Sequence, residues 1–352
     1  MQLISIRGHK IMGKFTEKLK PKSKKLAQKQ VTQETLEDHR EAVLSKGRKL
    51  KAQMTQLQKR IVLVAAGIAA LILVIVSVVG YLSLYVFQST GDIAFRVTQV
   101  LPLPVASVDG EWVRYGDYLL VFRSSIRPVE RQGGALENTE ENQALINHYK
   151  NQAMNLAIRY TYARRLGNEI GVSVSREEIE EAIREYRTVD GKEWSDERFT
   201  QAIFENFGLS RREYERLVSL TLQLKKVTEA VDEDAQATAK AVQVALDGGA
   251  RDFNALFDQI DGIVVEDSGS LVGSMDMDGG RAKVALGLEV GQVSGRFLSK
   301  NGDGYYFVKV TEKVEGAVAY SSIFIPFTEF AERMDEHEAE GRIKMFITLV
   351  TE

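Results

Sequence analysis

The sequence predicts an α+β protein built from one membrane-spanning helix, a mainly helical module and a small α+β domain. Three observations carry that expectation. Residues 61–87 run for 27 positions without a charge. Residues 113–232 place apolar side chains at helical spacing, interrupted by glycines and restarted twice by one capping pattern. After Asp232 the texture changes, and Gly-rich turns alternate with short apolar runs.

With 352 residues, 44% of them hydrophobic and 27% charged, the chain is mostly ordinary globular material. A collagen-like, low-complexity or wholly disordered chain is excluded. The absence of cysteine removes a disulfide scaffold, a thiolate zinc site, an iron–sulfur cluster and a cysteine nucleophile. His9, His39, His148 and His337 lie far apart in the sequence, which argues against a multi-histidine metal centre. The net charge of −3 conceals an asymmetry. Residues 1–60 carry 16 Lys and Arg against 5 Asp and Glu, whereas residues 88–352 carry 30 against 44. The two parts have opposite sign, and the uncharged run separates them.

Ile61–Phe87 is long enough to cross a bilayer, for which about 20 helical residues suffice. A cleaved signal peptide has an apolar stretch of about 7–15 residues close to the N-terminus. Here 60 residues come first, so an uncleaved anchor fits better. Tyr81 and Tyr85 near its end suit a membrane interface. Lys46, Arg48, Lys49, Lys51, Lys59 and Arg60 precede it, and the positive-inside rule puts residues 1–60 in the cytoplasm and residues 88–352 outside. The expectation is a single-pass protein of the cell membrane that contacts lipid through 61–87. The basic tail (Lys14, Lys18, Lys20, Lys22, Lys24, Lys25, Lys29) reads as a topology determinant lying on anionic lipid headgroups. Nucleic-acid or ribosome contact is the alternative, but Phe15 is the tail's single aromatic, so no specific nucleic acid is expected.

Beyond the membrane, residues 88–102 read as a connector punctuated by Pro102 and followed by Pro104. Val105, Ser107 and Trp112 fit a strand pair turning at Asp109-Gly110. Tyr115, Tyr118, Leu119, Phe122 and Ile126 then recur at helical spacing, and residues 128–142 read as a polar loop. A helix is expected over 143–166. Ser175 with Glu178 forms a capping box, with Val174 and Ile179 as its staple, and the helix behind it runs to about Tyr186. A helix over Asp196–Phe207 stops at Gly208. Ser210 with Glu213 is a second capping box, stapled by Leu209 and Tyr214. The module spans 103–232. Residues 235–326 then read as the small α+β domain, with helices over Ala235–Leu246 and Phe253–Ile260 and strands over Gln292–Ser299, Tyr305–Thr311 and Ala319–Pro326. Residues 327–352 read as a terminal helix carrying Phe330, Met334, Ile343, Phe346 and Ile347.

No P-loop, dinucleotide fingerprint, HExxH or GxSxG occurs. Asp276, Asp278 and Gly279 hint at a calcium loop, but Gly280 and Gly287 stand where an EF-hand needs its fifth and twelfth ligands, so the segment reads as a turn. Neither a metal nor a cofactor is expected. Ser321-Ser322 lacks a nearby base and reads as strand. Tyr115, Tyr118, Phe122, Tyr149 and Tyr160 read first as core. The functional alternative is an apolar groove for extended polypeptide, with Tyr115, Tyr118 and Phe122 as its peptide-binding candidates.

VASVDGEWVRYGDY, AIRYTYARRLGNEIGVSVSREEIEEAI and FGLSRREYERLVSLTLQLKKV, within 103–230, carry a resemblance to the N-terminal helical module of the SurA/PpiD/PrsA family of extracytoplasmic foldases. RDFNALFDQI, GSLVGSMDM and LEVGQVSGRFLSKNGDGYYFVKVTEK, within 251–313, resemble a parvulin-type prolyl isomerase domain. Parvulins end in a Gly-Tyr-His-x-x-Lys-Val pattern, and Tyr306 stands at the histidine position. They open with a Ser-His-Ile-Leu strand. Its nearest match, Ser321-Ser322-Ile323-Phe324-Ile325, follows the domain and puts Ser322 in the second histidine slot. A circularly permuted sheet would explain the order, provided that Ala319–Pro326 pairs with Tyr305–Thr311. The resemblance implies a chaperone for unfolded, newly exported polypeptides. It also implies a divergent pocket of Met275, Met277, Tyr306, Phe307 and Ser322, with Tyr306 and Ser322 in the catalytic slots. Prolyl rotation faces a barrier of about 18–20 kcal/mol, and loss of both histidines alters the polar groups that would lower it. Polypeptide binding therefore ranks above turnover. An active parvulin-type peptidyl-prolyl isomerase and a non-catalytic envelope or secretion-complex scaffold remain the alternatives.

Overall fold

The computed structural model describes residues 33–133, 139–189, 191–273 and 278–350. The lysines of the basic tail, Lys14 to Lys29, lie outside them. The chain divides into two compact units, one ending at Ser77 and the other beginning at Val78.

Helix α1 (Gln33–Tyr81) dominates the first unit. Every residue from Ile61 to Val79 is exposed. A core helix of a soluble protein would bury much of such a face. The stretch Gln58–Val86 is long and apolar enough to cross a membrane. The uncharged run 61–87 falls within that stretch except for Phe87. A π-helical turn follows at Leu82–Val86, and Leu84 within it is buried. Tyr85 Oη donates to the Pro104 carbonyl and Tyr115 Oη to the Leu84 carbonyl, both at 2.7 Å. The last turn is thus held by protein.

The expected connector contains a helix, α2 (Asp92–Val100), because Ala94, Phe95 and Thr98 share a face that buries against the next helix. Strands β1 (Pro104–Val108) and β2 (Glu111–Arg114) form the expected hairpin. Asp109 (φ 47°) and Gly110 (φ 84°) supply the two left-handed residues that such a turn requires. Helix α3 (Tyr115–Gly133) continues through Pro128, which corrects the expected loop at its first six residues. An internal proline costs about 3 kcal/mol. Packing of α3 against its neighbours outweighs it.

Helix α4 (Glu140–Ile170) is capped by Thr139 Oγ1, which accepts from Asn142 N at 3.2 Å, and it ends at Gly171 in the left-handed region. Both capping boxes form. Ser175 Oγ accepts from Glu178 N (3.2 Å) while Glu178 Oε2 accepts from Ser175 N (2.8 Å), opening α5 (Arg176–Arg187). A two-residue ribbon, β3 (Thr188–Val189) with β4 (Lys192–Glu193), leads to α6 (Asp196–Phe207), which stops at Gly208 (φ 66°). Ser210 and Glu213 repeat the box at α7 (Arg211–Val231). Inside the bundle, Arg216 grips the buried Asp117 carboxylate through Nε and Nη2 at 2.6 and 2.9 Å, joining α7 to α3.

The α+β domain comprises α8 (Glu233–Asp247), α9 (Phe253–Phe257), β5 (Val264–Asp267), β6 (Val272–Gly273), α10 (Arg281–Leu286), β7 (Phe297–Leu298), β8 (Gly304–Val314) and β9 (Ala317–Pro326). Its strands run in the order β5-β9-β8-β7, and β6 also pairs with β9. The expected strand over Gln292–Ser299 shrinks to β7 and a lone bridge from Val293 to Lys309. Alternation along β8 and β9 gives the sheet two buried faces. Tyr305, Phe307, Ile323 and Ile325 pack with α8 and α9, whereas Val308, Val310, Val318 and Tyr320 pack with α10. The pairing that a permuted sheet requires is present, with Tyr306 opposite Phe324 and Val308 opposite Ser322.

The C-terminus departs most from expectation. Helix α11 covers only Glu329–Ala339. Gly341 adopts φ 68°, and the chain reverses to form β10 (Ile343–Met345), which pairs with β1. Phe330 and Ile347 join the core of the helical module. The α+β domain is therefore an insertion, and the chain closes the module after leaving it.

Candidate functional site

A cleft of about 480 Å³ opens in the helical module between α2, α3 and the end of α6. Its apolar lining comprises Phe95, Phe122, Ile126, Phe204 and Phe207. The first three are rooted in the core, whereas Phe204 is 58% exposed. Phe207 stacks near Tyr214, with ring centroids 5.9 Å apart. Burial pushes the Tyr214 hydroxyl up to about 12, so it stays neutral. Gly208 ends α6 beside the cleft and lets the chain turn into the Ser210 box.

The polar lining is mostly arginine and carboxylate. Arg123 Nη2 pairs with Asp92 at 2.7 Å, and its guanidinium lies 4.7 Å from the Phe95 ring centroid. Its Nε is buried and, among the described residues, has no hydrogen-bond partner. The cleft thus sets five apolar side chains beside three arginines and three carboxylates.

The second region lies on the α10 face of the sheet. Arg281, three residues after Asp278, holds it together. Its Nη1 reaches Glu266 Oε2 at 2.6 Å and Ser322 Oγ at 3.3 Å, and its Nε reaches the Asp278 carbonyl at 2.8 Å. Its guanidinium lies 4.8 Å from the Tyr306 ring and 5.8 Å from the Tyr320 ring. Tyr320 Oη donates to Asp278 Oδ2 at 2.7 Å. Burial, and then that bond, push the Tyr320 hydroxyl upward, leaving it a neutral donor. Asp278 also accepts from Gly280 N and Ala282 N, fixing the start of α10.

The expected site residues fall as follows. Tyr306 and Ser322 do converge on Arg281, but both are buried. The Tyr306 ring stacks on Phe324 at 4.7 Å, and Ser322 Oγ donates to the Glu266 carbonyl at 3.1 Å. Phe307 is on the opposite face, fully buried with α8 and α9, a correction that follows from strand alternation. Tyr115 and Tyr118 are core, with essentially no exposed surface for a ligand, so the expected groove role is corrected for them. Phe122 alone of the three reaches a cleft wall. Met275 and Met277 lie outside the described residues. Sequence reasoning missed Phe95, Phe204, Phe207, Arg123 and Arg281. Phe204 and Phe207, one turn apart before a glycine stop, were the available signal; Arg281 had none.

A family model described as the SurA-like N-terminal domain matches residues 52–228, half of the chain. The match begins well before the resemblance read from 103–230 and takes in the apolar helix and α2. No curated protein and no solved structure matches the chain. Helices α2 to α7 and the cleft described above lie within or beside the matched span, and the chain belongs to the family of proteins with a SurA-like N-terminal domain.

Proposed function

We propose that this protein is a membrane-anchored chaperone that holds unfolded, newly exported polypeptides in the cleft of its helical module. The observation that carries the reading is the cleft itself. Aromatic side chains line it, and it lies within a SurA-like match that also takes in an apolar helix. Lysines and arginines before that helix, and the acidic surplus after it, support an N-terminus in the cytoplasm and the remaining domains outside. Binding would bury apolar client side chains at about 25 cal/mol per Å², less the ordering costs.

For the inserted domain the filled surroundings of Tyr306 favour a second reading, a docking scaffold. Arg281 and Phe324 pack on the Tyr306 ring, and Ser322 has no exposed surface. The parvulin-like strand pairing supports descent from an isomerase domain, while the burial weighs against turnover.

The test is binding of a fluorescent, permanently unfolded polypeptide to the full chain in nanodiscs, measured by anisotropy. Phe204→Glu should weaken binding about thirtyfold, since truncated aromatic hot spots cost roughly 2 kcal/mol. Because Phe204 is exposed, the variant should melt with the wild type. Unchanged affinity in Phe204→Glu and Phe207→Ser would overturn the assignment to this cleft. Retention of one stoichiometric partner instead of many clients would favour the scaffold for the whole protein.

A further inference from the structure

We propose that the outer face of α2 is a second membrane-binding surface, seated in the headgroup–acyl boundary of the bilayer that holds the apolar helix. The inference rests on the membrane-anchored reading above and adds a contact that the anchor does not require.

Helix α2 presents two apolar faces. Ala94, Phe95 and Thr98 point into the core. Ile93, Val97, Val100 and the capping Leu101 are 82%, 41%, 81% and 50% exposed. At about 100° per residue these four positions cover an arc of about 100°, a continuous apolar stripe in place of the polar face expected of a surface helix. The helix cannot roll to hide them. Gly116 packs so closely beneath it that a Cβ there would lie 2.6 Å from the Thr98 carbonyl, and Gln99 Nε2 donates to the Gly116 carbonyl at 3.0 Å.

Continuity with the apolar helix identifies the occupant as lipid. Residues from Val78 onward belong to the same compact unit as α2. Phe87, where the uncharged run ends, is 75% exposed. From there to Asp92 a fully extended chain reaches at most about 18 Å, and Ser89 N, bonding back to the Ser83 carbonyl at 2.9 Å, shortens that reach. The stripe therefore begins close to where the apolar helix ends, in the zone where interfacial helices sink about 5–10 Å into the headgroup region. Arg96, exposed at the border of the stripe and in no ion pair among the described residues, can carry its charge up to lipid phosphate while its stem stays in the apolar layer.

The native chain has no cysteine, so a single introduced one is the sole labelling site. Full-length Val97→Cys, labelled with an environment-sensitive nitrobenzoxadiazole probe, would be placed in phosphatidylcholine–phosphatidylglycerol liposomes carrying shallow or deep spin-labelled lipid. Leu73→Cys, inside the apolar helix, and Glu177→Cys, exposed on α5, are the references. The label at 97 should emit to the blue of that at 177 and be quenched about twofold more by shallow than by deep spin label, whereas the label at 73 should favour the deep one. If the label at 97 matches that at 177 while the label at 73 is quenched, the anchor stands and the second surface falls. If the label at 73 is not quenched either, the membrane reading fails and takes this proposal with it. A blue shift at 97 that needs added polypeptide or high protein density, without quenching by lipid, assigns the stripe to a client or a second copy and overturns the proposal.

Discussion

Asp232 shows how much one side chain can hold in this chain. It stands where the chain leaves the helical module for the inserted domain, and it is 3% exposed. Its Oδ1 accepts from Ala235 N at 2.9 Å, capping α8. Its Oδ2 accepts from Thr328 N at 2.7 Å and Glu329 N at 3.1 Å, where the chain comes back. One carboxylate thus ties the outgoing and returning strands of the insertion. Asp232→Ala would leave three backbone donors without their acceptor. We expect a loss of about 3 kcal/mol, seen as a lower melting temperature of the detergent-solubilised chain. Asp232→Asn, which keeps one acceptor oxygen, should fall between the two. A melting temperature within experimental error of wild type in Asp232→Ala would show that the clasp is redundant.

Among the elements, β10 is the most consequential and the least visible beforehand. The bonds from Asp109 N to the Arg342 carbonyl and from Phe346 N to the Val105 carbonyl set the phase of its pairing with β1, and Lys344 stands opposite Ser107. Lys344→Pro removes a ladder donor and should destabilise the module by about 1–3 kcal/mol, whereas Lys344→Thr should be near neutral. Equal melting curves for the two variants would contradict the pairing. Elements specified by local chemistry were legible in the sequence. The Ser175 and Ser210 capping boxes, the Gly208 stop and the Asp109-Gly110 turn appear where their residues placed them, because each is satisfied within a few positions. Elements decided by distant contacts were not. Ile343, Phe346 and Ile347 keep a helical rhythm with Phe330, yet Gly341 breaks it and β1 takes the segment as a strand. Pro128 reads as a helix end, yet α3 passes through it because its flank is packed. The candidate site follows the same division. Aromatic residues could be recognised as apolar, but Tyr115 and Tyr118 turn inward while Phe204 stays exposed, and only the packing of α3 on α4 and α6 decides which.

For the whole molecule, charge and hydropathy along the chain speak before any fold does. A basic segment, an uncharged helix with every residue from Ile61 to Val79 exposed, and an acidic remainder follow one another, and the topology proposed above rests on that order. The inserted domain interrupts the helical module between α7 and α11, so both of its ends lie at the Asp232 clasp. Its clearest tie to α7 beyond that clasp is Tyr305 Oη, which donates to Glu229 at 2.8 Å. Topology is the premise on which client holding and the α2 surface both depend, and cysteine accessibility in sealed, right-side-out membrane vesicles tests it most directly. With a membrane-impermeant maleimide, Glu177→Cys should react at once and Lys46→Cys only after the membrane is opened. Reaction of Lys46→Cys in sealed vesicles, with Glu177→Cys protected until lysis, would contradict the account.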